Sequence, residues 1–338
     1  MKKLFSMITL TVIALLITAC SSTESTKSEQ NDPNTIDIYT TVYPLTYFAE
    51  RIGGEYVNVT SIYPTGANEH SFEPTQKDMM NLADSDLFFY IGLGLEGFVE
   101  KANNTLANEN VKFVATSEHI PEDKLRISKG HSYEESLEHD HEHDGDEHDE
   151  HEHGADEHDE HNHGDIDPHV WLSPVLSQEL ALAIKNELVN TMPEQEATFT
   201  ANYETLVSEL QSLDEDFKNL VADAKTKSFF ISHSSFGYIA GQYGLIQVPI
   251  AGLNSQSEPS QKELIEIVDL AEELEAKYIL FEQNVSSNLT SVIQSEIGAK
   301  SLTLHNLSVL TEEDVANDEN YFTLMQKNIE TFKEALNP

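Results

Sequence analysis

From Glu194 to Ala224 the chain contains neither Gly nor Pro, and Phe199, Tyr203, Leu206, Val207, Leu210, Leu213, Phe217, Leu220, Val221 and Ala224 recur at spacings of three and four. That is one apolar stripe on a long helix, expected to begin at Pro193. A helix over 193–224 spans roughly 45 Å at 1.5 Å per residue, more than the width of one small α/β domain. It is therefore expected to pack along two domains and fix their relative position. Strand and helix signals alternate on both sides of it. The fold class that follows is α/β, with two mostly parallel lobes joined by one long backbone helix. A ligand would then sit between the lobes.

Before the first lobe, residues 1–19 read as a processing signal. Lys2 and Lys3 precede an apolar run from Leu4 to Ile17, and Thr18-Ala19 leads into Cys20. The run is shorter than a membrane span requires. Cys20 is the only cysteine, so no disulfide forms within one chain and no thiolate can hold a metal. The pattern resembles the lipobox of bacterial lipoproteins, with Cys20 the lipidated residue. Residues 20–35 read as a flexible tether. The expected location is the cell membrane, lipid-anchored on its extracytoplasmic face.

The first lobe is expected over 36–192 and the second over 225–338. In the first, strands are predicted at Ile36–Thr41, Tyr56–Tyr63, Asp86–Ile91 and Val111–Ala115, and helices at Pro44–Ile52, Gln76–Ala83, Leu95–Leu106 and Pro174–Met192. In the second, strands are predicted at Ser228–Ser232, Leu245–Ile250, Lys277–Phe281 and Ser301–Leu304. Its helices fall at Phe236–Tyr243, Gln261–Leu274, Asn288–Ile297 and Tyr321–Leu336. No internal sequence repeat stands out, although the two halves share a rhythm.

The formal charge of −41 makes nucleic acid an unsuitable partner, because phosphate binding depends on Lys and Arg. Much of that charge is local. Between His131 and Asp165 there are ten histidines, sixteen Asp or Glu, and no Lys or Arg. The tract lacks apolar periodicity, and it reads as a disordered loop that collects zinc weakly at several places. The competing interpretation is a solvated acidic loop that binds metal incidentally.

Three other histidines occupy structured positions. His70 lies in a turn-rich loop after the second strand, where ligands collect in open α/β sheets. His169 sits on a Pro-fixed segment, Asp167-Pro168-His169-Val-Trp171-Leu-Ser-Pro174, beside the only tryptophan. His233 lies at the carboxyl end of a buried strand. Three imidazoles with no thiolate lean towards zinc without excluding copper, nickel or iron. His119 and His305 read as structural or solvent-facing.

The stretches Asn68-Glu69-His70-Ser-Phe-Glu73-Pro74, Asp167-Pro168-His169-Val-Trp171, Ser232-His233-Ser-Ser-Phe236 and Glu258-Pro259-Ser260 resemble, in order, motifs of the metal-binding solute-binding lipoproteins of ABC importers. More narrowly they resemble the zinc branch, the ZnuA/AdcA type, over about Ile36 to Leu336. The resemblance implies a single metal site between two lobes with little hinge freedom, and His70, His169 and His233 as its ligands. It also implies an ABC permease and its ATPase as partners, a lipid-anchored monomer, Zn²⁺ as the ion carried and no enzymatic activity. Manganese members carry a carboxylate where this chain has His233, which favours zinc. The fourth ligand position departs from the family pattern, with Ser308 where a carboxylate is usual. That place falls to water, to Glu69 or to Glu282; water is favoured, with Glu282 orienting a histidine from behind. The rival readings are a manganese or iron subunit of the same fold, a surface zinc buffer or adhesin, and a zinc hydrolase.

Overall fold

The computed structural model describes residues 34–128, 166–255, 259–283 and 288–338. The expected signal at 1–19, Cys20, nearly all of the tether, the acidic histidine tract and Glu258 lie outside the described residues.

The first lobe carries β1 (Ile36–Thr40), β2 (Val57–Ser61), β3 (Leu87–Tyr90) and β4 (Lys112–Ala115) in one parallel sheet of order β2-β1-β3-β4. The second carries β5 (Ser228–His233), β6 (Ile246–Ala251), β7 (Tyr278–Glu282) and β8 (Lys300–Leu304) in the order β6-β5-β7-β8, also all parallel. The same topology thus occurs twice without a visible sequence repeat. Strands covered by helices on both faces read as continuous apolar runs, and Leu87-Phe88-Phe89 and Phe229-Phe230-Ile231 are of that kind and buried. In each order the chain reverses direction across the sheet beside the first strand, the place where open α/β sheets collect ligands.

The helices of the first lobe are α1 (Tyr43–Gly53), α2 (Gln76–Ala83), α3 (Val99–Thr105), α4 (Glu122–Leu125) and α5 (Pro174–Thr191). The strut follows as α6 (Glu196–Ala222), after a 3-10 turn at Pro193–Gln195. The second lobe adds α7 (Gly237–Tyr243), α8 (Gln261–Glu273), α9 (Asn288–Ile297), α10 (Glu312–Ala316) and α11 (Tyr321–Ala335). The strut packs against α1 and α5 of the first lobe and α7 and α11 of the second. Its buried stripe is Phe199, Leu206, Leu210, Leu213, Phe217, Leu220 and Val221. At roughly 1.5–3 kcal/mol for each buried apolar side chain, that stripe contributes on the order of 10–20 kcal/mol. Intrinsic helix preferences differ by less than about 1 kcal/mol per residue, so packing holds this helix in place.

Two differences from the expected elements have local causes. The helix expected from Leu95 starts at Val99, because Gly92, Leu93 and Gly94 take positive φ and the buried Glu96 carboxylate accepts the Ile91 and Gly92 amides and the Thr41 hydroxyl. These bonds satisfy the buried carboxylate and hold Glu96 against the segment that follows β3. The short helices α4 and α10 carry too few residues to show a period in sequence.

One apolar core runs through both lobes. It includes Phe48 and Ala49 of α1, Leu180 and Ile184 of α5, Phe217 of the strut, Phe236, and Tyr321 and Phe332 of α11. Tyr321 meets Phe48 edge-on at 5.0 Å between ring centroids, and its hydroxyl donates to the Trp171 carbonyl at 3.0 Å. A smaller cluster around Phe230, Ile279 and Ile293 fills the outer part of the second lobe.

Candidate metal centre

His70 hangs from the loop after β2. The Asn68 side chain accepts the His70 amide at 3.0 Å, closing an Asx turn, and Asn68 Nδ2 donates to Ser255 of the other lobe. Phe72 packs edge-on against Tyr63 at 4.9 Å, anchoring the loop's far side to the lobe.

His169 is held by the residue two before it. Asp167 Oδ1 accepts the His169 amide at 2.9 Å and lies 2.8 Å from His169 Nδ1. Pro168 between them limits the backbone, so this short-range pair is largely set by covalent geometry. The Tyr238 hydroxyl of α7 donates to the Asp167 carbonyl at 2.7 Å. Helix α7 comes this close because two of its residues lack side chains. A Cβ on Gly237 would stand 2.6 Å from Asp167 Oδ2, and one on Gly241 would overlap the Ile127 carbonyl oxygen.

His233 ends β5, and Glu282 ends its neighbour β7. The register pairs Ile231 with Leu280, so His233 and Glu282 lie side by side two residues on. Glu282 Oε1 is 2.5 Å from His233 Nδ1. An ionised carboxylate only accepts, so with Asp167 and Glu282 ionised and the rings neutral, Nδ1 carries the proton in both pairs and Nε2 keeps its lone pair.

The Nε2 atoms converge. His70 Nε2 and His169 Nε2 are 3.2 Å apart, and His169 Nε2 and His233 Nε2 3.4 Å. Taking all three rings, the ligand atoms lie within 4.8 Å of one another. Four ligands at about 2.0–2.1 Å from a tetrahedral ion stand about 3.3–3.4 Å apart, so two edges already have the spacing of a zinc site. Lone pairs facing each other at this distance repel unless a cation or proton lies between them. The donor set fits a divalent ion that accepts nitrogen ligands.

Charge follows from burial. Burial, then repulsion from His169 and His233, pushes the His70 imidazole down to about 3. Burial also holds His169 well below its ordinary value. For His233 burial acts in the same direction, but the Glu282 carboxylate outweighs it and the net shift is upward. Glu282 shows the counterpart: burial opposes its charge, His233 favours it, and its value falls. Asp167 is raised to about 7 by burial. Two imidazoles are therefore neutral and ready to bind at physiological pH, and the third is paired with a carboxylate.

The remaining candidates fall as follows. Ser308 is buried and its hydroxyl donates to Asn306 Oδ1 at 2.9 Å. Glu69 is buried with Oε1 3.9 Å from His70 Nε2. Glu282 faces Nδ1 of His233, the far side of the ring from the convergence point. His305 is buried against Asp314 at 2.9 Å, a structural pair, and His119 is exposed. Sequence reasoning missed three groups: Asp167, Tyr238 and Asn306. Asp167 had a readable signal, a carboxylate two residues before a histidine across a proline. Asn306 and Tyr238 act over long separations and had none.

A family model described as zinc-uptake complex component A, periplasmic (ZnuA), matches residues 38–335. The zinc-binding lipoprotein AdcA of Streptococcus pneumoniae is 34% identical over 334 residues, covering 99% of this chain and 61% of AdcA. The chain thus spans about three fifths of that relative's length. The high-affinity zinc uptake system protein ZnuA of Bacillus subtilis is 33% identical over 335 residues, with 99% and 98% covered. Among solved structures, the Zn(II)-bound ZnuA-like domain of S. pneumoniae AdcA superposes with a TM-score of 0.69 at 31% identity, over 90% of this chain and all of that one. The laminin-binding protein Lmb of Streptococcus agalactiae, described as bifunctional with adhesin and metal transporting activity, gives 0.71 at 25% identity, over 89% of this chain and 99% of that one.

Proposed function

We propose a function from one premise: the chain belongs to the ZnuA family of periplasmic zinc-uptake components. It is a binding protein and not an enzyme. It captures Zn²⁺ between its lobes and delivers the ion to the permease of an ABC importer, acting as the extracytoplasmic subunit. His70, His169 and His233 hold the ion through Nε2. Glu282 and Asp167 orient two of the rings from behind. A water completes the coordination, since Ser308 is turned to Asn306 and Glu282 is engaged with His233 Nδ1. Cys20 carries the lipid that keeps the protein at the membrane, and the acidic histidine tract gathers further ions weakly.

The observation that carries this reading is the convergence of three imidazole nitrogens within 4.8 Å, two of their separations near a tetrahedral edge, with two of the rings tied to carboxylates. Nitrogen donors favour zinc over manganese. Calorimetric titration of the full chain tests it. His233→Ala is expected to lose tight zinc binding; undiminished binding, or a preference of the parent chain for Mn²⁺ over Zn²⁺, refutes the reading. The likeness to Lmb supports a second role as an adhesin, for which binding of the purified chain to immobilised laminin is the direct assay.

A further inference from the structure

Between the two carboxylates of the site lies a residue that no histidine motif points to. Asn306 Nδ2 donates to Glu69 Oε1 at 3.3 Å and to Glu282 Oε2 at 3.1 Å. The orientation of that amide is fixed by its other half, since Oδ1 accepts from the Ser308 amide, the Ser308 hydroxyl and Gln283 Nε2. Its backbone is held as firmly: Asn306 N donates to Gln283 Oε1 at 2.9 Å, and its carbonyl accepts Trp171 Nε1 at 2.7 Å. Every polar group of Asn306 is used, and the residue is completely buried.

The oxygen it grips on Glu69 is the one that faces the ion site. Glu69 Oε1 stands 3.9 Å from His70 Nε2, about half an ångström beyond a tetrahedral edge. A small side-chain movement would bring it into the coordination shell. Oxygen donors are what Mn²⁺ accepts best, whereas imidazole suits Zn²⁺. Whichever group controls that movement therefore controls the balance between the two ions.

Resting on the zinc-binding reading above, we propose that Asn306 is a specificity-determining residue: its carboxamide, donating at once to Glu69 and Glu282, keeps Glu69 out of the ion's coordination shell while Glu282 stays on His233 Nδ1, so the protein offers three nitrogens and no carboxylate oxygen. Ser308 serves the same end by turning the amide. A longer acidic side chain at that place could itself reach the ion, and its replacement by serine leaves the amide unchallenged.

Metal-free full chain is titrated with Zn²⁺ and Mn²⁺ in competition, and its Co²⁺ form is read by visible absorption, whose intensity falls as coordination rises above four. Asn306→Ala removes the donor. Asn306→Asp keeps the shape and the acceptor bonds to Ser308 and Gln283, yet sets a third acceptor against the two carboxylates. In both, Mn²⁺ affinity relative to Zn²⁺ is expected to rise by at least about tenfold, which is about 1.4 kcal/mol. The Co²⁺ bands are expected to weaken. Glu69→Gln added to Asn306→Ala is expected to return the ratio to that of the parent, as interacting neighbours do in a double-mutant cycle. A ratio and spectrum equal to the parent's in the folded variants overturn the role of Asn306, as does equal weakening of both metals, which is the mark of a merely structural residue. A parent chain that shows no preference for zinc instead overturns the function on which the role rests.

Discussion

Glu282→Gln isolates the carboxylate behind His233 without changing its size. In the parent chain Glu282 Oε1 accepts from His233 Nδ1 at 2.5 Å while Oε2 accepts from Asn306 Nδ2 at 3.1 Å. A carboxamide cannot serve both. With its oxygen on His233, its NH₂ meets the NH₂ of Asn306; reversed, it sets a donor against Nδ1–H and pushes the imidazole towards the tautomer that cannot bind through Nε2. Either arrangement leaves a buried donor unpaired, at about 1–3 kcal/mol. Loss of a carboxylate behind a metal-binding histidine weakens the metal by about 10–100-fold, or roughly 1.4–2.7 kcal/mol, and the two magnitudes agree. Competition against a chromophoric zinc chelator at fixed pH and salt measures it. A second readout separates orientation from misfolding. Glu282 is what lifts His233 above its ordinary value, so in the variant the pH at which zinc binding is half lost moves downward. Zinc affinity within about twofold of the parent, with an unmoved pH midpoint, would refute the argument.

The pH dependence of the parent has a defined sign. His233 is raised above 6.5, so protons compete with zinc at that ring already above 6.5, and affinity measured by titration across pH falls as pH drops through its folded value. The metal-free fold behaves differently at His70, depressed to about 3. Below 6.5 the unfolded chain binds the proton that the folded site refuses, so urea midpoints are expected to fall steadily as pH is lowered from about 6.5 towards 3. Gly241→Ala drives a methyl into the Ile127 carbonyl and should cost about 1–3 kcal/mol, read as a lower urea midpoint.

The parts of this fold legible in sequence are those with a local period. The strut announced itself by Phe199, Leu206, Leu210, Leu213, Phe217 and Val221, and all six are buried. Strands such as Leu87–Tyr90 were visible as apolar runs because both faces are covered. Gln76–Ala83 and Asn288–Ile297 fall at the expected residues. What stayed hidden depends on chain segments far apart in sequence. The apposition of Asn306 with Glu69 spans 237 residues, and nothing near either residue specifies it. Gly237 and Gly241 carry no local signal of their role, which is to let Ile127, Ser128 and Asp167 approach the helix. The helix start at Val99 has no local signal, because it goes with the Glu96 side chain folding back onto the Ile91 and Gly92 amides.

The lobes are not two bodies meeting at a hinge. Phe48 against Tyr321, Trp171 Nε1 on Asn306 and the Tyr43 amide on the Ser308 carbonyl at 2.9 Å all cross between them. Opening a cleft would expose several buried aromatic side chains at about 1.5–3 kcal/mol each and strand these polar groups, a cost that opposes hinge opening. The freedom of the site must therefore be local. His169 and His233 are each tied through Nδ1 to a buried carboxylate, on a Pro-fixed segment and a central strand. His70 has only the Asn68 turn beneath it, with no carboxylate on its Nδ1 among the described residues, and it is the one ring of the three with partial exposure. The loop that carries His70 is therefore the least constrained part of the site, while the other two rings are held by the sheet and the proline.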